Sequence, residues 1–173
     1  MQIRNILVPV DIENVDLSIV RRAEAIARWS GATVHLMHVV DPALFVSPTM
    51  IRNGQVEEVL SYCRSRLEEL TPVGATVTVE MGKPGPTILK WAKAHDIDLI
   101  VLSTHARRGA DRFFLGSVAE YVIRRADCPV ITARNKSCIV PEVSARYSGL
   151  LGGTRPEVYE RDEWRALVWK PRR

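Results

Sequence analysis

The residues best placed to do chemistry lie between Ser103 and Val118: Ser103-Thr104-His105-Ala106, nine intervening residues, then Gly116-Ser117-Val118. The stretch begins where an aliphatic run ends and closes where a helical pattern starts. A helix N-terminus presents unpaired N–H groups and about half a positive charge, so Gly116-Ser117-Val118 has the form of an anion site. Glycine lets a phosphate oxygen approach the backbone, and the Ser117 hydroxyl can donate to it. Ser117 is equally suited to capping its own helix, and both readings stay open. Asp11, which closes the first apolar run, is either an acceptor for a ligand or an ordinary turn aspartate. His105 belongs to the same site or is a plain loop histidine. His35 and His38 fall within a strand run and His95 ends a helix, so none of these is assigned a catalytic role.

These residues need elements to hold them. Ile3 to Val10 reads as a strand buried on both faces. A helix follows, capped by Ser18 or Asp16, carrying Ile19, Val20, Ala23, Ile26 and Ala27 at helical spacing and stopped by Ser30-Gly31. Ala32 to Val40 is the second strand. A helical stretch from about Ile51 to Leu70 has Val56, Val59, Leu60, Cys63 and Leu67 along one stripe. Ala75 to Met81 is the third strand, Gly82 to Pro86 a turn, and Thr87 to His95 a short helix. Asp98 to Ser103 is the fourth strand. Gly116 to Arg125 is the last helix of the domain, with Val118, Tyr121 and Val122 as its inner face, and Pro129 to Ala133 is the fifth strand. Strands alternating with helices require a parallel α/β sheet covered on both faces. In such sheets ligands sit beyond the carboxyl ends of the strands, where the winding reverses. That directs attention to Asp11, Val39 to Asp41, Gly82 and the segment after Leu102.

The chain has 173 residues, enough for one domain with its own core. No stretch approaches the roughly 20 apolar residues of a membrane span, and the N-terminus lacks the regions of a signal peptide, so a cytoplasmic location is expected. Cys63, Cys128 and Cys138 show no CxxC spacing and are read as reduced thiols, with no metal site. The formal net charge is +4, but residues 136–173 hold eight basic against five acidic residues, so the excess lies mostly in the tail. Arg21-Arg22 and Arg124-Arg125 lie on different helices without interleaved aromatics and read as solvated faces, not a nucleic-acid surface. Arg107 and Arg108 sit beside the anion site and could pair with anionic oxygen. No GxGxxG follows the first strand, no GxxxxGKS or GKT occurs, and no catalytic triad is present.

Ile6-Leu7-Val8-Pro9-Val10-Asp11, His38-Val39-Val40-Asp41, Leu102-Ser-Thr-His-Ala-Arg-Arg-Gly, Phe114-Leu115-Gly116-Ser117-Val118-Ala119-Glu120 and Cys128-Pro129-Val130 together resemble the universal stress protein family, from about Gln2 to Arg134. The resemblance implies a flavodoxin-like sheet of five parallel strands ordered 3-2-1-4-5 with helices on both faces, and a homodimer. It also implies ATP as ligand, with or without Mg, and at most slow hydrolysis of it. Carried over by position, Pro9 and Asp11 serve the adenine or ribose side. Val39 offers backbone groups to adenine, and Ser103, His105, Ala106, Gly116, Ser117 and Val118 surround the phosphates. ATP-binding members carry G-x-x-G, nine residues, then G-S or G-T. Here Ser103 and Ala106 replace the two glycines, and alanine at a left-handed position costs about 1 to 2 kcal/mol.

Two functional expectations follow. One is a small cytoplasmic stress-response protein with a degenerate ATP pocket; the other is a dimeric adaptor that binds no nucleotide and acts through its surfaces. Residues 1–135 are expected to form the domain, and residues 136–173 an irregular extension with a short helix near Pro156 to Val168. The extension's Trp164, Leu167, Val168 and Trp169 are expected to dock on the domain, a dimer mate or a protein partner. Val130 and Ile131, in the last strand of the domain, are expected to carry the homodimer contact as an edge strand.

Overall fold

The computed structural model describes residues 2–13, 15–45, 55–72, 74–103, 116–133, 157–161 and 164–169. Its elements run β1 (Asn5–Pro9), α1 (Leu17–Ser30), β2 (Thr33–Val40), α2 (Pro42–Phe45), α3 (Val56–Glu68), β3 (Thr76–Met81), α4 (Pro84–Ala94), β4 (Leu99–Ser103), α5 (Ser117–Arg125), β5 (Val130–Ala133), β6 (Glu157–Arg161) and β7 (Trp164–Trp169). The first five strands are parallel and lie in the order 3-2-1-4-5, as expected.

Period-two alternation divides the core between the two faces. Leu7, Met37, Ile100, Leu102 and Val130 face α4 and α5, meeting Ile88, Ala92, Ala119 and Val122. Their neighbours Ile6, Val8, Leu36, Val101 and Ile131 face α1 and α3, meeting Ile19, Val20, Ala23 and Leu67. Each large aliphatic side chain removed from water contributes about 1.5 to 3 kcal/mol, which is why a sheet covered on both sides tolerates so few polar residues. Gly31 ends α1 with φ 74, a left-handed conformation that glycine adopts without strain.

Four expectations change. The turn at Gly82 to Pro86 is shorter than read, because α4 already begins at Pro84. Proline lacks an N–H and has a helical φ, so it suits the first helical position, and Pro84 starts the helix instead of delaying it. The buried face of α5 is Ala119, Val122 and Ile123, while Val118 is 37% exposed. Tyr121 packs against Gly85: a Cβ there would lie 2.6 Å from Tyr121 Cδ1, so α4 presents bare backbone to the Tyr121 ring.

The third and fourth changes concern the tail. Residues 157–161 and 164–169 form an antiparallel hairpin, not the helix expected near Pro156 to Val168. The run Trp164-Arg165-Ala166-Leu167-Val168-Trp169 is short and rich in aromatic and branched residues, which favours a strand once a partner edge is at hand. That partner is β5, to which β7 pairs antiparallel through Val130↔Trp169, Ile131↔Val168 and Thr132↔Leu167. The full order is β3-β2-β1-β4-β5-β7-β6. Within one chain β5 is therefore not an edge strand, and the homodimer contact expected through Val130 and Ile131 meets an edge already paired.

Candidate functional site

In a sheet ordered 3-2-1-4-5 the winding reverses between β1 and β4, and open α/β sheets as a class bind ligands beyond the carboxyl ends of the strands at such a reversal. β1 feeds α1 on one face, and the segment after β4 feeds α5 on the other. The N-termini of both helices thus flank the same reversal.

Asp16 ties this end together. It is the N-cap of α1, only 8% exposed, and its Oδ1 accepts the Ser18 N–H at 3.0 Å. Its Oδ2 accepts the Ser103 hydroxyl at 3.3 Å, joining the end of β4 to the start of α1. The cap was legible in the sequence as one of two candidates. The bond to Ser103 was not, because the two residues are 87 positions apart. Ser18 Oγ and Arg22 Nη1, one turn apart on α1, are buried without a hydrogen-bond partner. Arg22 is therefore half-buried and not a simple solvated charge.

Asp11 is exposed, and its Oδ1 accepts the Glu13 N–H at 3.0 Å, so it closes the turn after β1. Pro9 is the last residue of β1 and pairs with Met37. Val39 is buried in the core under α4 and pairs with Glu80 of β3, so its side chain belongs to packing. Its neighbour His38 is 6% exposed and donates from Nδ1 to the Val10 carbonyl at 2.9 Å, fixing the chain as it leaves β1. Sequence reasoning gave His38 no role, since a histidine in a strand carries no signal of the carbonyl it meets.

Gly116 is the N-cap of α5, with φ −60 and ψ 147 and no side-chain cap. Ser117 is the first helical residue, so it does not cap the helix; it and Val118 are exposed. The first turn of α5 thus keeps backbone donors that no capping side chain takes. His105 and Ala106 lie outside the described residues, as do Arg107 and Arg108. Pro9, Asp11, Asp16 and Ser103 gather at the reversal, Gly116 to Val118 open the helix beyond it, and Val39 contributes through the strand alone.

The two described cysteines are poor nucleophiles. Burial pushes the Cys63 thiol up, with Glu13 adding to it, and burial pushes Cys128 up to about 11, so both remain protonated thiols at neutral pH. Among the described residues no three His, Cys, Asp or Glu side chains are grouped to hold a metal ion. The described basic side chains of α5 have local partners: Arg124 donates to Glu120 at 2.8 Å, and Arg125 lies 4.2 Å over the Tyr121 ring. Among the described residues no helix is long and apolar enough to cross a membrane.

Comparison with known proteins places this geometry. The universal stress protein MJ0531 of Methanocaldococcus jannaschii is 33% identical over 144 residues, covering 76% of this chain and 82% of that protein. The solved structure of MJ0577 superposes with a TM-score of 0.67 at 25% identity, covering 80% of this chain and all of the other. A universal stress protein solved in complex with cAMP has a TM-score of 0.55 at 21% identity, covering 78% of this chain and 98% of that one, a likeness of fold. The sequence model of the universal stress protein family matches residues 2–134, and the chain belongs to that family.

Proposed function

We propose that this protein is a small cytoplasmic stress-response protein that binds an adenine nucleotide weakly where β1 and β4 end. The observation that carries the reading is the first turn of α5. Gly116 starts it without a side-chain cap, Ser117 stands exposed beside it, and the turn opens at the reversal of the sheet. Phosphates would meet the N–H groups of that turn and the Ser117 hydroxyl, and Asp11 and Pro9 would line the approach at the end of β1. ATP, with or without Mg, is the ligand this arrangement suits, with at most slow hydrolysis.

The weakness comes from the two glycine positions. Ser103 carries a side chain where ATP-binding relatives of the motif have none, and its hydroxyl is held by the buried Asp16 carboxylate. That carboxylate adds negative charge near the expected phosphates. Alanine at 106 adds a methyl and, at a left-handed position, about 1 to 2 kcal/mol, which is roughly tenfold in affinity. Titration calorimetry with ATP tests the reading: affinity in the high micromolar range or poorer is expected, and Ser103→Gly with Ala106→Gly should tighten it. Submicromolar binding by the unaltered protein overturns the weak pocket.

The Ser103 to Asp16 hydrogen bond also favours a second reading, an adaptor that holds no nucleotide because its pocket mouth is tied shut. No heat at millimolar ATP with the unaltered protein, and binding once Ser103→Gly removes that bond, selects it.

A further inference from the structure

We propose that the C-terminal hairpin is this chain's own occupant of the outer β5 edge, and that it excludes a second copy of the chain from pairing there. β5 is bound by β4 on one side and by β7 on the other. Without β7 its outer row of N–H and C=O groups would be open, and nothing in Val130-Ile131-Thr132-Ala133 would blunt it. The strand has no charge and no proline, which are the usual means of protecting an edge. Val130, Ile131 and Thr132 are all buried.

A second copy related by a two-fold axis would bring its own β5 alongside in the antiparallel sense, because an isologous contact reverses the strand. β7 already runs antiparallel to β5, so it takes the place and the direction that such a mate would use. The hairpin also moves the edge of the sheet outward to β6, Glu157-Val158-Tyr159-Glu160-Arg161, in which three of five residues are charged. A charged edge discourages strand addition where the bare β5 edge would invite it. Residues 134–156 connect β5 to β6 within one chain, and such a tether sets an effective concentration of roughly millimolar order, above that of free protein.

Hydrogen exchange on the full-length protein tests this without any substitution. Protection of the β5 amides should be the same at low and high micromolar protein, because the strand that covers them is tethered. Protection that builds with concentration means a second copy covers the edge, and overturns the proposal. A variant gives the converse. Leu167 pairs with Thr132 of β5 and with Val158 of β6, so Leu167→Pro removes an N–H from the middle of the hairpin whichever neighbour it serves. Where that variant has lost β5 protection at low concentration, sedimentation should show its mass rising towards twice the monomer as concentration increases. A mass no greater than that of the unaltered protein, or a fall from a dimer to a monomer, overturns the proposal.

Discussion

Asp16 offers the sharpest test of how the carboxyl end of the sheet is assembled, because one buried carboxylate serves two elements. Replacing it with alanine removes the N-cap of α1, which costs about 1 kcal/mol. It also removes the bond that the Ser103 hydroxyl donates, which at 3.3 Å is long for a charged acceptor and is worth about 1 kcal/mol more. The sum is about 2 kcal/mol, which at a urea dependence of about 2 kcal/mol per molar lowers the unfolding midpoint by about 1 M. Asp16→Asn should lose less, since an amide oxygen can still accept the Ser18 N–H. Ser103→Ala should lose about 1 kcal/mol, and the double variant Asp16→Ala with Ser103→Ala should cost less than the two single changes added together, by about 1 kcal/mol. Urea titrations of the parent and the four variants decide the matter. Strict additivity would show that the two side chains do not interact, and an Asn variant as damaged as the Ala variant would show that charge, not capping, is what α1 needs.

Other outcomes follow from packing and titration. Gly85→Ala should destabilise by about 1 to 2 kcal/mol, since overpacking against Tyr121 outweighs the helix propensity gained, and a smaller residue at 121 should relieve it in thermal melts. Arg22→Met should leave stability within about 0.5 kcal/mol of the parent or raise it, because the buried Nη1 forms no bond to lose; a large loss in a urea titration would refute this. His35 is held below its ordinary value of 6.5 by burial and then by His95, so the stability it contributes is present above pH 6.5 and lost as pH falls through the lowered folded value. Melting temperature followed downward from pH 7 should therefore decline, and less steeply in His35→Gln. Cys128 has the opposite sign: its contribution is intact below the ordinary 9.0 and is lost as pH rises towards about 11, which alkaline melts of Cys128→Ala should flatten.

The order and type of the first five strands were legible because each is a short aliphatic run bounded by turn residues. A sheet buried on both faces leaves that pattern wherever it occurs. Boundaries set by backbone chemistry were harder: Pro84 reads as a turn residue in isolation and as a helix start only once α4 is seen. On α5, Val122 was legible as an inner residue, but Ala119 and Ile123 are buried where Val118 was expected, and the contact of Tyr121 with Gly85 of another helix is not encoded in local spacing. At the carboxyl end of the sheet, couplings between distant residues were not legible. Asp16 with Ser103, and His38 with the Val10 carbonyl, are contacts between distant segments that local spacing does not encode. The tail was misread because strand propensity depends on a partner edge, and nothing near Trp164 announces that β5 is waiting.

The central place of β1 bears on how the chain emerges during synthesis. β1 is made first, yet it lies in the middle of the sheet, between β2 and β4. Its first neighbour is complete at Val40, but the second is complete only at Ser103, about 60 residues later. At ribosomal speeds of about 5 to 20 residues per second, the second edge of Ile6 to Val8 stays open for on the order of 3 to 12 s. During that interval the nascent protein carries an apolar, unpaired strand edge that its finished form never shows. Chains stalled before Leu99 should therefore bind holdase chaperones more strongly than chains stalled once β4 has cleared the exit tunnel.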